Sequence, residues 1–584
     1  MRIFGTHEEN TIRQLQDVAT RAERVALMAD GHLGYVMPIG GVAAYRNKVS
    51  VVGVGFDIAC LAASTPVTTA DGYTLPIERI APEHPVVCWD GERVRHIAPH
   101  FGAVARGERE LLRITLSNGR ELRVTPDHLI RTHEGWKRAD ALCPDDAVAV
   151  APFVGLPYEP SERQLDPPIG NPNRRQELHE RGLLPLSASD PRFPALLRIL
   201  GYVNGDGHLV WNGKCVSLYV FNDTDAADLA ADIRLLGFEP REYRRTRGAG
   251  RREEIQLCVH SVALHALLAA LGSPVGKKQW SAQPMPWLFG MPAWARAHFL
   301  SAFCSAEMMT PRVHRTGTIP NLQLKQSGTD RHSIELIANL LHSLGFRTSI
   351  APSGPPRGTR SDFVLQILGG QEEQLRFFAE VGFCRSVEKR IQAASTASVA
   401  WQGRAYVRNR DAAKQEARAL RDAGVNWRAV VADVAERFAV APGFVYHSIY
   451  DDRGPSRRLP GAAVSPDSEG EICWVPVEAV VPCDPGPVYD VVTGDPAHCF
   501  FAAGAVVHNC GNAAIRTDLT LSDLGADERQ VGRTLNTLAD EIAGTVSFGI
   551  GRKNRSDDAP VDHPLFGDPA WDAVPAQERR ELRE

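Results

Sequence analysis

The chain has 584 residues, 43% hydrophobic and 23% charged, with a formal net charge of -5. That length implies several domains, and that composition is ordinary for globular protein. A slightly acidic chain excludes a nucleic-acid-binding surface spread over the whole molecule, so any basic patch is local. The opening MRIFGTHEEN lacks the basic-then-apolar order of a signal peptide, and no run of about 18 apolar residues offers a membrane span. The 11 cysteines are scattered without a CxxC pair. That spacing argues against a disulfide framework and a zinc ribbon, and fits free thiols in a reducing cytoplasm.

In chain order, residues 1–59 are Gly-rich (ADGHLGYVMPIGGVAAY) and lead into the apolar run VSVVGVGF, which reads as a buried strand entering a turn. The texture changes at Cys60. Residues 60–155 alternate short strand-like runs such as LLRITL and ELRVT with turn signals such as ADG, WDG and SNG. Residues 156–190 are rich in Pro, Arg and Asn and read as a linker. Residues 191–400 are mixed α+β. Residues 401–465 offer short helices, with Asn426 as a cap and Val430, Val434 and Phe438 on one face, in a helix-turn-helix-like pattern. Residues 466–509 return to short strands, and 510–584 are Asp/Arg-rich and helical. One β module is therefore split by a large α+β insert.

That insert repeats internally. ILGYVNGDGH, VSLYVF and IRLLGF in the first copy answer FLSAFCSAEM, LQLKQS and LLHSLGF in the second. Asp206 matches Glu307, and Gly237 matches Gly345. A pseudo-two-fold domain follows, with the two acidic motifs meeting at its axis.

The ends of the split module carry the parts of a self-excision reaction. The Cys60 sulfur can attack the Ala59 carbonyl and turn an amide into a thioester, and Cys510 can capture that thioester by exchange. The Asn509 carboxamide can attack its own backbone carbonyl and release the segment as a succinimide. His508 stands ready to protonate or polarise that bond, and Thr125 and His128, in GRELRVTPDHLI, to activate the upstream amide. Taken together in order, CLAASTPVTTADG, GRELRVTPDHL and YDVVTGDPAHCFFAAGAVVHNC resemble the blocks of a Hint-fold intein. The resemblance implies Cys60 and Cys510 as nucleophiles, Thr125 and His128 as activators, Asp490 and His498 as coordinators of the two steps, and His508 with Asn509 as the cleavage pair. It implies no cofactor for splicing.

ILGYVNGDG and FLSAFCSAE resemble the paired helices of a LAGLIDADG homing endonuclease. Small residues at Gly201, Gly205, Ala302 and Ala306 allow close helix approach. Asp206 and Glu307 then lie together and can hold a divalent metal, Mg2+ by the resemblance, against a phosphate of double-stranded DNA. Lys325 is a candidate to stabilise developing charge. Arg244, Arg245, Arg247, Arg251 and Arg252 read as a hairpin tip suited to backbone phosphates. Ser305 stands where the family usually has a second acid, Met308 replaces a glycine, and Glu307 replaces an aspartate.

With the insert deleted, SVVGVGFDIA joins CGNAAIRTDL. Together with ADGH (Asp30, His32) and VSFGIGRKNRSDDAPVDHP, this resembles an RtcB-type RNA-splicing ligase. The family joins RNA 3′-phosphate or 2′,3′-cyclic phosphate ends to 5′-hydroxyl ends with GTP and Mn2+. Its DxxC metal motif is restored only by splicing, as Asp57 with Cys510, a ligand pair suited to a transition metal. The fold class expected is thus an all-β, horseshoe-like Hint domain split by a pseudo-symmetric α+β endonuclease and flanked by α/β ligase fragments. Only 75 residues follow Asn509, and the family's later histidines have no counterpart among them, so the ligase part reads as incomplete. Two readings compete. A Hint module that cleaves without splicing is disfavoured by Cys510 and the rejoinable halves. A DNA-binding or nuclease protein without splicing is disfavoured by the ordered splicing blocks.

Overall fold

The chain parts into two units. One unit is Met1–Asp57 with Asn512–Glu584, and the other is Ile58–Gly511. The computed structural model describes residues 1–32, 37–45, 60–91, 93–97, 99–246, 252–278, 284–315, 317–328, 331–355, 361–450, 466–493 and 497–509, and single positions 530, 533 and 537. The run VSVVGVGF, Asp57, Arg247, Arg251 and Cys510 fall outside them, as do the side chains of Asp30 and His32.

In the first unit, Arg24–His32 pairs parallel with Arg2–Ile3 and antiparallel with Ile39–Ala44. The helix Glu9–Ala19 packs Leu15 and Val18 against Val25 and Leu27. This is a small α/β piece.

In the second unit, segments from both sides of the insert build one 13-stranded sheet. Its spine is a long antiparallel pair, Pro99–Leu116 with Ile472–Thr493, running from Thr493 opposite Pro99 to Val477 opposite Leu116 with several register shifts. Such shifts let a long ribbon coil and turn its side chains. Leu61–Ala62 lies between Glu121–Val124 and the Ile472–Thr493 strand. Ala505–His508 pairs with Cys499–Ala502 and, through Val507, with Ile130. Strands from the first half, Leu61–Ala62, Pro66–Thr68, Pro99–Leu116, Leu129–Thr132 and Ala147–Val150, each complete a ladder with strands from the second.

The stretch 156–190 is more than a linker. It holds the helix Pro172–Glu180, capped by the Asn171 side chain, and buries Leu178, Leu183, Leu184 and Leu186 in the main core. The repeat in the insert is also visible in topology. The helices Phe193–Asn204 and Ala293–Glu307 each lead to a strand, a helix and a hairpin, and the common strands take the same sheet order in both copies. Gly237 and Gly345 both take left-handed conformations, φ 81° and 83°, after the following helix. The helix Val387–Asp422 crosses the boundary expected at residue 400, so the DNA-binding-like segment is no separate module at its start. Its last turns pack with Trp427–Arg437 and Pro442–Tyr450 around Ala413, Ala417, Val430, Val434, Val445 and Ile449. Phe438 is partly buried against that cluster.

The endonuclease-like and splicing-like parts share one core. Trp294 meets Tyr73 and Tyr158 at ring separations of 5.4 and 5.3 Å, and its Nε1–H donates to the Glu159 carbonyl at 2.9 Å. The His298 ring lies between the carbonyls of Asp71 and Trp294. Arg198 and Arg385 both grip Asp232, and all three are buried. A cavity of about 460 Å³ beside this seam is lined by residues including Asp71, His96, Arg198 and Arg385, but by neither Cys60 nor the acid pair. No helix among the described residues is long and apolar enough to cross a membrane.

Glycine sets the approach of the two motif helices. A Cβ at Gly201 would sit 2.3 Å from the Phe299 carbonyl oxygen, and one at Gly205 2.5 Å from Ala306 Cβ. Gly201→Val should therefore cost about 2–4 kcal/mol, because backbone rather than a flexible side chain must move. Gly443→Ala, where nothing lies within 4 Å, should change stability by less than about 1 kcal/mol. Urea unfolding of both variants measures the difference.

Candidate active site

Cys60 is buried, 2% exposed, immediately before the short strand Leu61–Ala62. Its amide nitrogen, which belongs to the Ala59–Cys60 bond, donates to Thr125 Oγ1 at 2.9 Å, and its carbonyl accepts from the Thr125 N–H at 3.0 Å. Thr125 directly follows the strand that pairs with Leu61, and the His128 N–H closes the turn onto the Thr125 carbonyl at 3.0 Å. That turn leads straight into Leu129–Thr132, whose Ile130 pairs with Val507. A four-residue turn thus connects the strand next to Cys60 with the strand next to His508.

The same economy appears on the Ile472–Thr493 strand. Tyr489 pairs with Leu61, which sets buried Asp490 beside Cys60. Arg106 approaches Asp490 at 3.7 Å. Three residues on, Thr493 accepts from Asn509 Nδ2 through its carbonyl at 2.9 Å and through its hydroxyl at 2.8 Å. At about 3.3 Å per residue, Asp490 and Thr493 are roughly 10 Å apart along one strand. Both ends of the insert are therefore held by one short piece of backbone. Asn509 is fully buried, its N–H donates to the His498 carbonyl at 2.9 Å, and its Oδ1 has no partner among the described residues. His498 takes a left-handed conformation, φ 46°, and its ring stacks 5.9 Å from that of His508, which meets Trp136 edge-on at 5.0 Å. A non-glycine residue held there is strained and implies that its surroundings fix it.

Burial, followed by the Asp490 charge, pushes the Cys60 thiol up to about 12, with Arg106 opposing. At neutral pH the sulfur is a neutral thiol, so its proton leaves during attack rather than before it. The Cys60 nitrogen is already hydrogen-bonded, and the Asn509 carboxamide is aimed by two acceptors. Among the residues proposed from sequence, Cys60, Thr125 and Asp490 gather at one end of this pocket, and His498, His508 and Asn509 at the other. His128 is buried in the connecting turn. Arg106 carries no motif signal, and Thr493, although it lies within the closing block, gains its role only from strand register.

A second constellation lies in the insert. Asp206 and Glu307 follow or end the two motif helices, and burial raises both carboxyl groups above their usual range. Asp206 raises Glu307 further. Neither side chain has a hydrogen bond or ion pair among the described residues. Two mutually repelling oxygen donors of this kind fit a hard divalent cation. The cations facing them are Lys278 and Lys389, not Lys325. Lys278 Nζ donates to the carbonyls of Asn204 and Gly205, and Lys389 Nζ to those of Cys304, Ser305 and Ala306. Each lysine caps one motif helix where the helix dipole favours positive charge. Lys325 instead pairs with Asp362 at 3.0 Å and is half exposed. Ser305 donates to the Ser301 carbonyl and accepts from the Arg385 N–H, a structural role in place of an acid. Met308 is extended, φ -71°, so no glycine is needed there. Of the arginine run, Arg244 pairs with Asp223, Glu242 and Glu253, Arg245 with Glu254, and Arg252 with Glu388. They are not the free cations that the sequence suggests, although exposed pairs of this sort are weak enough to exchange for phosphate.

Residues 71–509 match the model of the intein splicing domain. The chain belongs to the intein splicing family. Residues 11–83 match the model of the tRNA-splicing ligase RtcB. A tRNA-splicing ligase RtcB of Methanopyrus kandleri is 29% identical over 574 residues, covering 90% of this chain and 56% of the relative. The intein-bearing chain thus spans about half the length of the curated relatives it matches. Among solved structures, the Ssp DnaB mini-intein variant M86 aligns at 17% identity and TM-score 0.16, over 16% of this chain and 62% of that one. I-DmoI in complex with DNA and Mn aligns at 15% identity and TM-score 0.24, over 33% of this chain and 97% of that one.

Because the folded state disfavours charge on Asp206 and Glu307, these groups cost stability at neutral pH, and that cost disappears as pH falls through their ordinary values of 3.8 and 4.5. Glu307→Gln should therefore raise the melting temperature at pH 7 without divalent metal by roughly 2–4 °C. The gain should vanish below about pH 4, where the wild-type acids are protonated in both states. Calorimetry across pH measures both, and an unchanged or lower melting temperature at pH 7 would contradict the reading.

Proposed function

We propose that this intein excises residues 60–509 by protein splicing and joins residue 59 to residue 510. The Cys60 thiol loses its proton as the sulfur bonds to the Ala59 carbonyl carbon, and that proton ends on the departing Cys60 nitrogen. Thr125, already holding this N–H, favours the pyramidal nitrogen that amide resonance otherwise opposes. The Cys510 sulfur then displaces Cys60 from the thioester. Asn509 Nδ2 attacks its own backbone carbonyl, the peptide bond to Cys510 breaks, and the freed amine of Cys510 takes the acyl group from its own sulfur. Thr493 orients Nδ2 for that attack, and His508 is the adjacent acid. The observation that carries the reading is that one strand, Ile472–Thr493, holds Asp490 beside Cys60 and Thr493 on Asn509. Asp490 and His498 are positioned to make the second step follow the first.

The insert is read as a LAGLIDADG homing endonuclease acting on double-stranded DNA. Asp206 and Glu307 would hold Mg2+, which supplies charge stabilisation at a phosphate, while Lys278 and Lys389 fix the helix ends and offset the acids. Trp427, Tyr446 and Tyr450 are exposed on the helical segment after the repeat, consistent with a second DNA contact. The joined product is read as part of an RtcB-type ligase for RNA 3′-phosphate and 5′-hydroxyl ends, with GTP and Mn2+. Its pair Asp57 and Cys510 lies outside the described residues.

Intact-mass analysis after expression is expected to give free 60–509 and a product joining 1–59 to 510–584. Cys60→Ala with Asn509→Ala should leave precursor alone. Thr493→Val should slow release of the downstream product by about 10–100-fold, since a misaimed carboxamide loses its near-attack geometry. Separate fragments without a joined product would instead identify Hint cleavage without splicing.

A further inference from the structure

The first-half sheet of the insert has an apolar face, Val216, Leu218, Val220, Ile255, Leu257 and Val259, turned to the core. On its other face, Ser217 lies opposite Cys258, and the neighbouring pair is Val216 opposite Val259. One step further along that register puts Cys215 opposite His260. The Cys215 and Cys258 sulfurs are 3.3 Å apart, and one ligand atom from each of Cys215, Cys258 and His260 falls within 4.8 Å of the others. Both thiols are buried and His260 is exposed. Ser217 Oγ lies 3.8 Å from one sulfur and 3.4 Å from the other. Among the described residues, no other three such side chains converge in this way.

We propose that Cys215, Cys258 and His260 form a site for one thiophilic divalent metal ion, zinc in particular. Tetrahedral zinc with sulfur ligands at about 2.3 Å sets two sulfurs roughly 3.8 Å apart. The observed 3.3 Å needs only sub-ångström adjustment to reach that, whereas a disulfide requires about 2.05 Å. Binding displaces the two thiol protons, so affinity falls as pH falls. Burial and the neighbouring thiol push Cys215 up to about 11, and a bound cation would relieve that cost. The soft donor set of two sulfurs and one ring nitrogen differs from the hard oxygen pair of Asp206 and Glu307, so the two sites select different metals. Three protein ligands leave a fourth position open beside exposed His260, for water or a further ligand. The ion would tie the start of Val216–Val220 to the end of Glu253–Val259. The spacing between the two cysteines hides the site from a motif search, because only strand pairing joins them.

The test uses the full chain, spliced or not, reduced and stripped of metal, then titrated with Co2+ and Zn2+. One equivalent of Co2+ should give a thiolate charge-transfer band and tetrahedral visible bands. Zn2+ should displace it and protect Cys215 and Cys258 from alkylation, read by peptide mass. Cys215→Ser and Cys258→Ser should each abolish the signal, and His260→Ala should weaken binding by at least about tenfold. Glu307→Gln should leave it unchanged. Should a cysteine variant fail to fold, the alkylation pattern of the wild-type chain decides. No stoichiometric Co2+ binding, binding that survives Cys215→Ser, unprotected Cys215 and Cys258, or a 215–258 disulfide in a chain that binds no metal would each overturn the proposal.

Discussion

The large sheet and the pocket at its ends depend on the antiparallel pairing of Ile472–Thr493 with strands from the other side of the insert. That ladder joins parts of the chain far apart in sequence, and its alternating register decides which side chains share a pocket. A slip of one residue would turn Asp490 away from Cys60 and take Thr493 off Asn509. The hydrogen bonds of the strand thus do the work that a single motif does in a smaller enzyme. The cost of closing so long a loop grows only slowly with its length, so an intervening domain is tolerated if its ends stay close.

The splicing pocket and the acid pair solve opposite electrostatic problems. Around Cys60, burial and a carboxylate keep the sulfur protonated. Around Asp206 and Glu307, burial and mutual repulsion leave two carboxyl groups in need of positive charge, and two lysines supply part of it. Both sites carry a thermodynamic cost that a well-packed apolar pocket would not, as functional sites commonly do.

Several residues that the structure brings together stand in short local patterns in the sequence. Cys60, the Thr125–His128 turn and the His508–Asn509 end each announce themselves within a few positions, and the repeat in the insert is plain from its glycines and acids. Boundaries were less legible. The Pro- and Arg-rich stretch 156–190 looks like a linker, yet Leu178, Leu183, Leu184 and Leu186 bury it. The helix Val387–Asp422 runs through an expected border because no proline interrupts it and its one glycine, Gly403, is buried. Hardest to read were partners defined only by register or by return of the chain. Arg106, Lys278 and Lys389 sit in unremarkable local sequence, and Thr493 lies in a singled-out block without showing which group it would meet.

The shared seam of Trp294, Tyr73, Tyr158, Arg198 and Asp232 bears on how such a chain ages. Asp206 and Glu307 take no part in that seam, so substitution of either leaves it intact. The helices that carry them cannot be discarded as freely, because removing those helices would wet an aromatic face and leave Asp71 without its neighbours. Divergence of the insert is therefore expected to begin at its buried charges and to leave its skeleton standing as scaffolding for the surrounding sheet.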